Sequence, residues 1–434
     1  MRQVYKRCAG LDVHKKTVVA CRVRIDEQGN WEQEVRTFST MTHELLQLVD
    51  WLLAWEVTHV TLESTGEYWK PVYNLLEGNV VVLLVNAQHV KHVPGRKTDV
   101  QDAEWLAELL VHGLLKASFI PPKPQRDLRD LTRYRVTLVE ERARVVNRVQ
   151  KVLENANIKL ASVATDVLGV SGRRMLEALV AGQTDAATMA ELAKGRLRNK
   201  LPLLEQALTG VVDAQHRFLI AQHLVHIDFL DEQIATVSDQ IVQQIEGMPT
   251  LPTLPPPTDA SADEAPPPLT WQDAADILDT APGVDQKAAY QVLAEMGINM
   301  SQFPTANHLA AWGGLAPGNR QSGGKRFSTR LADGNRQLRK VMVQCAWAAV
   351  RTKDSYLGSL YHRLAARRGK KRAIIAVAHS MLVSFYHMLS NRQPYQDLGA
   401  DYFNQRSKGV RVDWLLKQLT KLGYSAQIEP ITAA

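Results

Sequence analysis

Four acidic residues in the first quarter of the chain have the spacing of a divalent-metal site. Asp12 lies inside a β-rich run between two apolar residues, so its side chain is expected on the strand face opposite to theirs. Glu63 ends another such run, again opposite an apolar pair. Asp99 and Asp102 are three residues apart at the start of a predicted helix, and they therefore share one helix face.

The chemistry that this set of acids suits is phosphoryl transfer. Carboxylate oxygens are the ligands that Mg²⁺ prefers, and a pair of such ions can activate one oxygen and stabilise the leaving one. Each acid alone also has an ordinary interpretation, because acids in a first helical turn favour the helix dipole and acids at strand ends are often solvated. Their joint arrangement on strands and a helix favours a catalytic site with Mg²⁺ as its cofactor.

A second candidate site lies in a loop that is rich in glycine and cations. Ser322 precedes two glycines, and three cations follow it within eight residues: Lys325, Arg326 and Arg330. Serine attacks phosphorus only when it is deprotonated and when cations stabilise the charge of the transition state. The pattern alone also fits an ordinary turn residue, and Ser328 offers a second hydroxyl.

The elements that would hold the four acids follow an α/β order over the first 120 residues. Strand patterns occur at 8–14, 17–25, 31–38, 59–63 and 80–85, and helical patterns at 43–55, 68–76 and 99–110. Thr98 and Gln101 form a capping pattern that marks the start of the last of these helices. Three closely spaced strands followed by alternating helix and strand predict an RNase H-like sheet.

No strand pattern occurs between residue 125 and about residue 245. Five apolar residues there step by three and four, the rhythm of a coiled coil: Ile227, Leu230, Ile234, Val237 and Ile241. An antiparallel coiled-coil arm and an oligomer seam would both produce it. Residues 247–270 hold eight of the nineteen prolines and are predicted to form a flexible linker between two halves of the chain.

The part after this linker is predicted to be mainly helical. A turn at Pro282 and Gly283 joins two helical patterns and resembles a helix-hairpin-helix element, whose turn amides can hold a DNA phosphate. Asp285 replaces the usual second glycine, and a purely structural helical hairpin is the alternative. A further helix is predicted from near Gly334, and the apolar stretch 373–389 is interpreted as a core helix because polar residues interrupt it.

The distribution of charge points to a polyanionic partner. The net charge is +7, but residues 320–372 carry fifteen Lys or Arg and two acids, so this segment has a charge of +13 and the rest of the chain −6. A solvated basic face is the alternative. The three cysteines have no zinc-ligand or disulfide spacing, and the first residues form no secretory segment, so we expect a cytoplasmic protein without a membrane span.

Several motifs resemble the DEDD insertion-sequence transposases, a family described as bridge-RNA-guided recombinases. GLDVHKK, TLESTGEYWKPVYNLL and NAQHVKHVPGRKTDVQDAEWLAELL resemble the RuvC-like domain of that family, and GLAP, SGG and GNRQLR resemble its C-terminal transposase domain. The resemblance covers nearly the whole chain, and it departs from the family where LADGN replaces the commoner Ile-x-Lys-x-Gly-Asn. It implies metal ligands at Asp12, Glu63, Asp99 and Asp102, and a covalent DNA link at Ser322, with Ser328 as second choice.

The family implies a domain order and a set of partners. We expect a RuvC-like domain at 1–120, a helical and coiled-coil region at 121–246, the linker at 247–270, the transposase domain at 271–395 and an extension at 396–434. The partners would be donor and target DNA, a non-coding guide RNA, and further copies of the chain in a dimer or tetramer. Two alternatives remain open: a Mg²⁺-dependent nuclease of the Holliday-junction-resolvase type, and a non-catalytic scaffold that binds RNA or DNA.

Nucleic-acid contacts are expected from basic residues around both sites. The predicted contact residues are Lys325, Arg326, Arg330, Arg336, Arg339, Arg126, Arg129 and Arg133, together with Arg367 and Arg368. Acids are interspersed among the residues near Arg126, so a surface of ion pairs is equally consistent with the sequence there.

Overall fold

The computed structural model describes residues 3–64, 66–85, 99–252, 268–318, 320–323, 325–328, 331 and 333–425. The side chains of residues 99, 320–322, 325–328 and 406–411 lie outside that description. The chain forms two compact units, Met1–Pro121 and Pro122–Ala434.

The first unit is built on a mixed five-stranded sheet. Its elements are β1 Arg7–Val13, β2 Thr17–Ile25, β3 Trp31–Ser39, α1 Thr42–Leu53, β4 His59–Glu63, α2 Trp69–Leu76, β5 Val81–Val85 and α3 Asp99–Val111. The strand order is β3-β2-β1-β4-β5, with antiparallel pairing among the first three strands of the chain and parallel pairing of β4 with β1 and β5. This is the predicted RNase H-like order, so the predicted fold class is confirmed. Thr98, which belongs to the predicted cap of α3, lies outside the described residues.

Both faces of the sheet are covered, because side chains alternate along each strand. Leu11 and its alternate neighbours on β1 pack against α1 and α2, while Cys8 and Cys21 pack with α3 on the other face. Burial raises the pKa of both thiols to about 12, so they are protonated at neutral pH. Asp12 alternates onto the same face as Cys8, the face that α3 covers.

Gly10 lets the backbone of α3 approach β1 closely. A Cβ atom at this position would lie 2.9 Å from the Cβ of Leu106 and still closer to the backbone of Ala103 and Ala107. Because backbone atoms cannot move aside without shifting the helix, a side chain at residue 10 would push α3 off the sheet. The close approach therefore fixes the height of α3, and with it two of the four acids, above β1.

Replacing Gly10 by Ala is expected to loosen the packing of β1 against α3. Overpacking of this kind costs about 1–3 kcal/mol, which corresponds to roughly 5- to 150-fold faster amide exchange if the two elements open together. Hydrogen exchange read by mass spectrometry on peptides from β1 and α3 measures it. Gly247→Ala, where the nearest heavy atoms are 3.8 Å from the added Cβ, is the control and should leave those peptides unchanged. Equal exchange in both variants would contradict the described packing.

The second unit is mainly helical, as predicted for the rest of the chain. Its α-helices and strands are α4 Lys123–Asn155, α5 Leu160–Val163, α6 Val170–Val180, α7 Ala186–Ala190, α8 Leu201–Leu208, α9 Ala214–Glu246, α10 Trp271–Asp279, α11 Gln286–Met296, α12 Ala306–Trp312, β6 Arg320–Ser322, β7 Lys325–Ser328, α13 Arg336–Ala349, α14 Tyr356–Arg368, α15 Lys370–Asn391 and α16 Tyr402–Lys421. Short 3₁₀ helices span Gly195–Lys200 and Met300–Gln302.

Helices α4 and α9 form an antiparallel arm. Arg135 donates to the hydroxyl of Ser238 (2.7 Å), and Arg142, farther along α4, pairs with Asp231, which comes earlier on α9. The residues of the predicted coiled-coil rhythm lie against the core of this unit, fully or partly buried. Of the two interpretations of the rhythm, the structure shows the arm within one chain.

The proline-rich segment leaves and re-enters the second unit at one place. The backbones of Leu251 and Leu269 pair with each other in both directions, at 2.9 and 3.0 Å. Residues 253–267 lie outside the description, but α9 before them and α10 after them contribute to one hydrophobic core.

Helix α15 is long and apolar enough to cross a membrane by length and composition, with a mean hydropathy of 1.5. Half of that stretch is buried within the protein, where Val377, Leu382 and Phe385 pack in the core with α12, α13 and α14. The helix is therefore part of the core, as predicted.

Candidate active site

Asp12 and Glu63 occupy matching positions on neighbouring strands. In the parallel pairing of β1 with β4, Leu11 lies opposite Leu62, so the next pair in register is Asp12 and Glu63. Parallel strands are about 4.8 Å apart, and residues paired in register project to the same face. For this pair it is the face covered by α3. Two of the predicted acids are thus brought together at the carboxyl ends of adjacent strands.

Helix α3 runs antiparallel to β1, which places its first turn near Asp12. Along the strand, Cys8 contacts the carbonyl oxygen of Ala107 (3.9 Å) and Gly10 lies under Ala103. The strand advances about 3.3 Å per residue, so Asp12 lies about 7 Å farther along, towards the helix start at Asp99.

The orientation of Asp102 follows from its neighbour Glu104. Glu104 accepts a hydrogen bond from Gln33 on β3 (3.3 Å), so its side of α3 faces β3. Asp102 lies two residues earlier, about 200° around the helix, and therefore lies on the flank nearer β4, which carries Glu63. All four acids are consequently at one end of the sheet, with the side chain of Asp99 outside the description.

These residues fit a divalent ion in the type of their donor atoms. The donors are hard carboxylate oxygens, and the side chain of Asp12 is only 13% exposed. Among the described side chains, no three His, Cys, Asp or Glu groups already enclose one metal position. Asp12, Glu63 and Asp102 therefore do not form such a group by themselves, and the side chain of Asp99 lies outside the description.

His14 is a neighbour of Asp12 that the sequence analysis did not single out. Its Nε2 atom lies 3.0 Å from the Asp12 carboxylate. The available signal was its position two residues after Asp12, on the same side of the chain. Such a contact can hold the carboxylate in one orientation.

Ser322 lies in a β-hairpin, which corrects the expectation of a glycine-rich loop. Strands β6 and β7 pair with Ser322 opposite Lys325 and Ser328 opposite Arg320, and a two-residue turn joins them. Gly323 in the turn has φ +56°, which the tight hairpin turns require. Ser322 is therefore beside the tip and Ser328 at the far end, while Arg330 lies outside the described residues.

The base of this hairpin is held by close backbone contacts. Pro317 pairs with Leu331, and the amide of Asn335 donates to the carbonyl of Trp312 (2.9 Å). A Cβ atom on Gly334 would lie 2.6 Å from that same carbonyl oxygen, so a larger residue would separate the two ends of the hairpin segment. Helix α13 begins at Arg336, close to the predicted start near Gly334, because the Asn335 side chain caps it.

A buried carboxylate connects the hairpin base to two helices. Glu295 on α11 is 3% exposed and accepts two hydrogen bonds from Arg133 on α4, at 2.7 and 2.8 Å. The side-chain amide of Asn335 donates to the same carboxylate (2.7 Å). Arg129 on α4 donates to the backbone carbonyl of Ala294, the residue before Glu295 (2.8 Å). A buried charge with these partners is costly to disturb, so the cluster fixes the hairpin base to α4 and α11.

The predicted nucleic-acid contacts are placed differently from one another. Arg129 and Arg133 serve the Glu295 cluster, and burial lowers the pKa of Arg129 to about 10, so it is still charged at neutral pH. Arg126 is half-buried, and Arg339 lies over Gly314. Arg336 is exposed in the first turn of α13. The side chains of Lys325 and Arg326 lie outside the description.

An open cleft of about 450 Å³ lies at the hairpin base. It is lined by Arg133, Trp312, Asp333, Gly334, Asn335, Arg336 and Gln337. Asp333, where the LADGN motif departs from the commoner pattern, is exposed at its rim and brings a negative charge to it.

The turn between α10 and α11 packs inside the unit. Gly283 has φ +75°, and a Cβ atom there would lie 2.6 Å from the carbonyl oxygen of Cys345 and 2.9 Å from the backbone of Ala348 on α13. Asp285 caps α11 by accepting from the amide of Ala288 (2.8 Å). Of the two interpretations of this element, the structural helical hairpin is the one that the packing supports.

Two protein-family models match the chain. A transposase model of the DEDD type named for IS110 matches residues 9–158, and a model described as the transposase IS116/IS110/IS902 family matches residues 275–362. The first range includes all four acids and the second includes Ser322.

Individual relatives are insertion-element and DNA-inverting proteins. The chain is 26% identical to an uncharacterised 42 kDa protein of insertion element IS900 from Mycobacterium paratuberculosis, over 89% of this chain and 96% of that protein. It is 29% identical to a pilin gene-inverting protein of Moraxella bovis, over 28% of this chain and 38% of that protein. It is also similar to the solved structure of Thermus thermophilus RuvC, with a TM-score of 0.21 and 14% identity over 26% of this chain and 99% of that one.

Proposed function

Because the chain belongs to the IS110 family of DEDD transposases, we propose that it cuts and rejoins DNA through a covalent serine intermediate, assisted by Mg²⁺ on its four acids. The observation that carries the metal-assisted chemistry is the register of β1 with β4, which sets Asp12 beside Glu63 under the first turn of α3. The gene-inverting relative supports recombination, since inverting a gene requires DNA to be cut and rejoined.

The four acids would hold the divalent ion at the scissile phosphate. Mg²⁺, when bound, supplies Lewis-acid activation of one oxygen and charge stabilisation of another. Asp12 and Glu63 contribute from the rigid sheet, and Asp99 and Asp102 contribute from α3, whose height is set by Gly10. His14 would keep the Asp12 carboxylate in place as DNA binds.

Ser322 would be the nucleophile. Its hydroxyl loses a proton, its Oγ atom forms a bond to phosphorus, and the bond from phosphorus to one sugar oxygen breaks as that oxygen takes up a proton. The hydroxyl of a second DNA end then attacks the phosphoserine and releases Oγ, which completes strand exchange. A place beside the hairpin tip, on a base fixed by Asn335 and Glu295, supports this role.

We further propose that a structured non-coding RNA selects the donor and target DNA by base pairing. The excess of positive charge in residues 320–372 supports contact with nucleic-acid backbones. Because the family to which the chain belongs suggests such a geometry, we also propose that copies of the chain associate, so that the acids of one copy meet the serine of another.

Co-purification of RNA tests the guided part of this function. We expect the full chain, expressed together with the DNA that flanks its gene, to retain one discrete RNA transcribed from that flank. Sequencing of the bound RNA measures it, and expression without the flank is the control. Dispersed cellular RNA in both preparations would show only generic charge binding and would contradict guidance by RNA.

A further inference from the structure

Six cations surround the corner between α14 and α15. They form what we call the cationic corner: Arg363, Arg367, Arg368, Lys370, Lys371 and Arg372. All six side chains are exposed, and no Asp or Glu occurs anywhere in residues 355–396. The corner is therefore a compact patch of one sign of charge that the neighbouring sequence does not balance.

Acids from elsewhere in the unit form no ion pair with this patch in the described residues. In the part of the chain that the structure describes, none of the six cations forms an ion pair, although Arg363 lies over the ring of Phe403 at 4.8 Å. Some arginines elsewhere in this unit do have acidic partners, such as Arg173, which donates two hydrogen bonds to Asp228 at 2.7 Å. The cations of the corner instead leave their charges available to a partner outside the chain.

Part of the cationic corner is unfavourable for the helix that carries it. Lys370, Lys371 and Arg372 occupy the first turn of α15, where the helix dipole disfavours positive charge. Gly369 before them provides no side-chain cap. Residues that oppose a local folding preference, with no compensating contact, are expected where function requires them.

Helices α13 and α15 run side by side in the same direction. Leu338 near the start of α13 and Leu382 near the middle of α15 both approach the same point, lying 3.2 and 3.0 Å from a Cβ atom built on Gly313. At their ends, the turn between α10 and α11 contacts both: Gly283 packs against the last turn of α13, and the Thr280 hydroxyl accepts from the amide of residue 395, just after α15.

This alignment places the cationic corner on the hairpin side of the unit. Leu382 is twelve residues into α15, whereas Leu338 is two residues into α13. At 1.5 Å per residue, α15 extends about 15 Å beyond the start of α13, towards the side from which the chain enters α13 after the β6–β7 hairpin. The corner and the hairpin of Ser322 therefore lie towards the same end of the unit.

We propose that the cationic corner binds the phosphate backbone of the double-stranded DNA that flanks the bond attacked at the Ser322 hairpin. Duplex DNA carries one negative charge per about 1.7 Å of its axis, a density that suits six cations grouped at one helix corner. The cationic corner and the proposed nucleophile lie towards the same end of one unit, so both are expected to contact the same nucleic acid. Because the nucleophile attacks DNA, the partner of the corner is DNA. This inference rests on the proposed function of Ser322.

The test is a triple variant, Lys370→Gln, Lys371→Gln and Arg372→Gln. These changes relieve unfavourable charge in the first turn of α15, so the variant is expected to fold. The matched control removes three exposed cations from another part of the unit: Lys194→Gln, Arg196→Gln and Lys200→Gln. Binding of the RNA-free full chain to a DNA duplex of about 30 base pairs is measured by fluorescence anisotropy across a range of salt concentrations.

We expect the corner variant to bind the duplex at least about tenfold more weakly at 0.1 M salt, with a salt-dependence slope lower by about 2–3, since each lost phosphate contact contributes about 0.9. The control variant should keep the wild-type slope. Unchanged DNA binding by the corner variant would overturn the proposal, as would a loss confined to an RNA duplex of the same length. Because this assay needs no strand cleavage, a failure of the serine chemistry would appear separately, as a wild-type protein that forms no covalent adduct.

Discussion

Replacing Asp12 by Asn is expected to reduce strand cleavage roughly a thousandfold, because losing one ligand of a catalytic ion removes several kcal/mol of transition-state stabilisation. The change keeps the shape of the side chain and removes its charge. Single-turnover cleavage of a DNA substrate, measured across Mg²⁺ concentrations, reports both the lost rate and a weaker apparent affinity for the ion. DNA binding in the absence of Mg²⁺ should remain as in the wild type.

Asp50→Asn is the matched control, since Asp50 is an exposed acid on α1 of the same unit. It should cleave at the wild-type rate. A non-catalytic scaffold would tolerate Asp12→Asn and Asp102→Asn in every assay, so full activity of both variants would refute the assignment of the four acids.

The second large effect is expected at the hairpin. Ser322→Ala should abolish the covalent protein–DNA adduct, at least about 10⁴-fold, because no other group replaces a missing nucleophile. The adduct is measured as labelled DNA that migrates with the protein under denaturing conditions. Ser328→Ala, at the far end of the same hairpin, is the control and should still form it.

The two variants also separate the recombinase from a metal-dependent nuclease. A nuclease that uses water as its nucleophile would cut DNA at the wild-type rate when Ser322 is replaced. Loss of the adduct with intact cutting would therefore support the nuclease, and an adduct that depends on Ser328 would move the nucleophile to the other end of the hairpin.

The sheet and the strand faces that carry Asp12 and Glu63 were predictable because their signals are local. Alternation along β1 and β4 indicates which side chains share a face, and the chain order of strands and helices indicates the RNase H-like arrangement. What sequence alone could not supply was the register of Asp12 with Glu63 and the close approach that Gly10 allows, since both depend on pairing between distant parts of the chain.

The helical unit shows why charge patterns are harder to interpret than apolar ones. Arg129 and Arg133 share a basic helix face, which suggested nucleic-acid contact, but their partner Glu295 lies more than 160 residues farther along the chain. The start of α13 near Gly334 was predicted correctly, whereas the hydrogen bond from its capping residue Asn335 to Glu295 could not be predicted from the sequence. The coiled-coil rhythm, in contrast, was a correct signal whose partner helix only the fold identified.

The pairing of Leu251 with Leu269 makes the proline-rich stretch a closed excursion rather than a spacer. The entropic free-energy cost of closing such a loop grows only slowly with its length, by about 0.6 kcal/mol for each doubling. Insertions or deletions between the two leucines are therefore expected to change the stability of the fold little. For the same reason this stretch is a natural point at which to graft a foreign reporter domain.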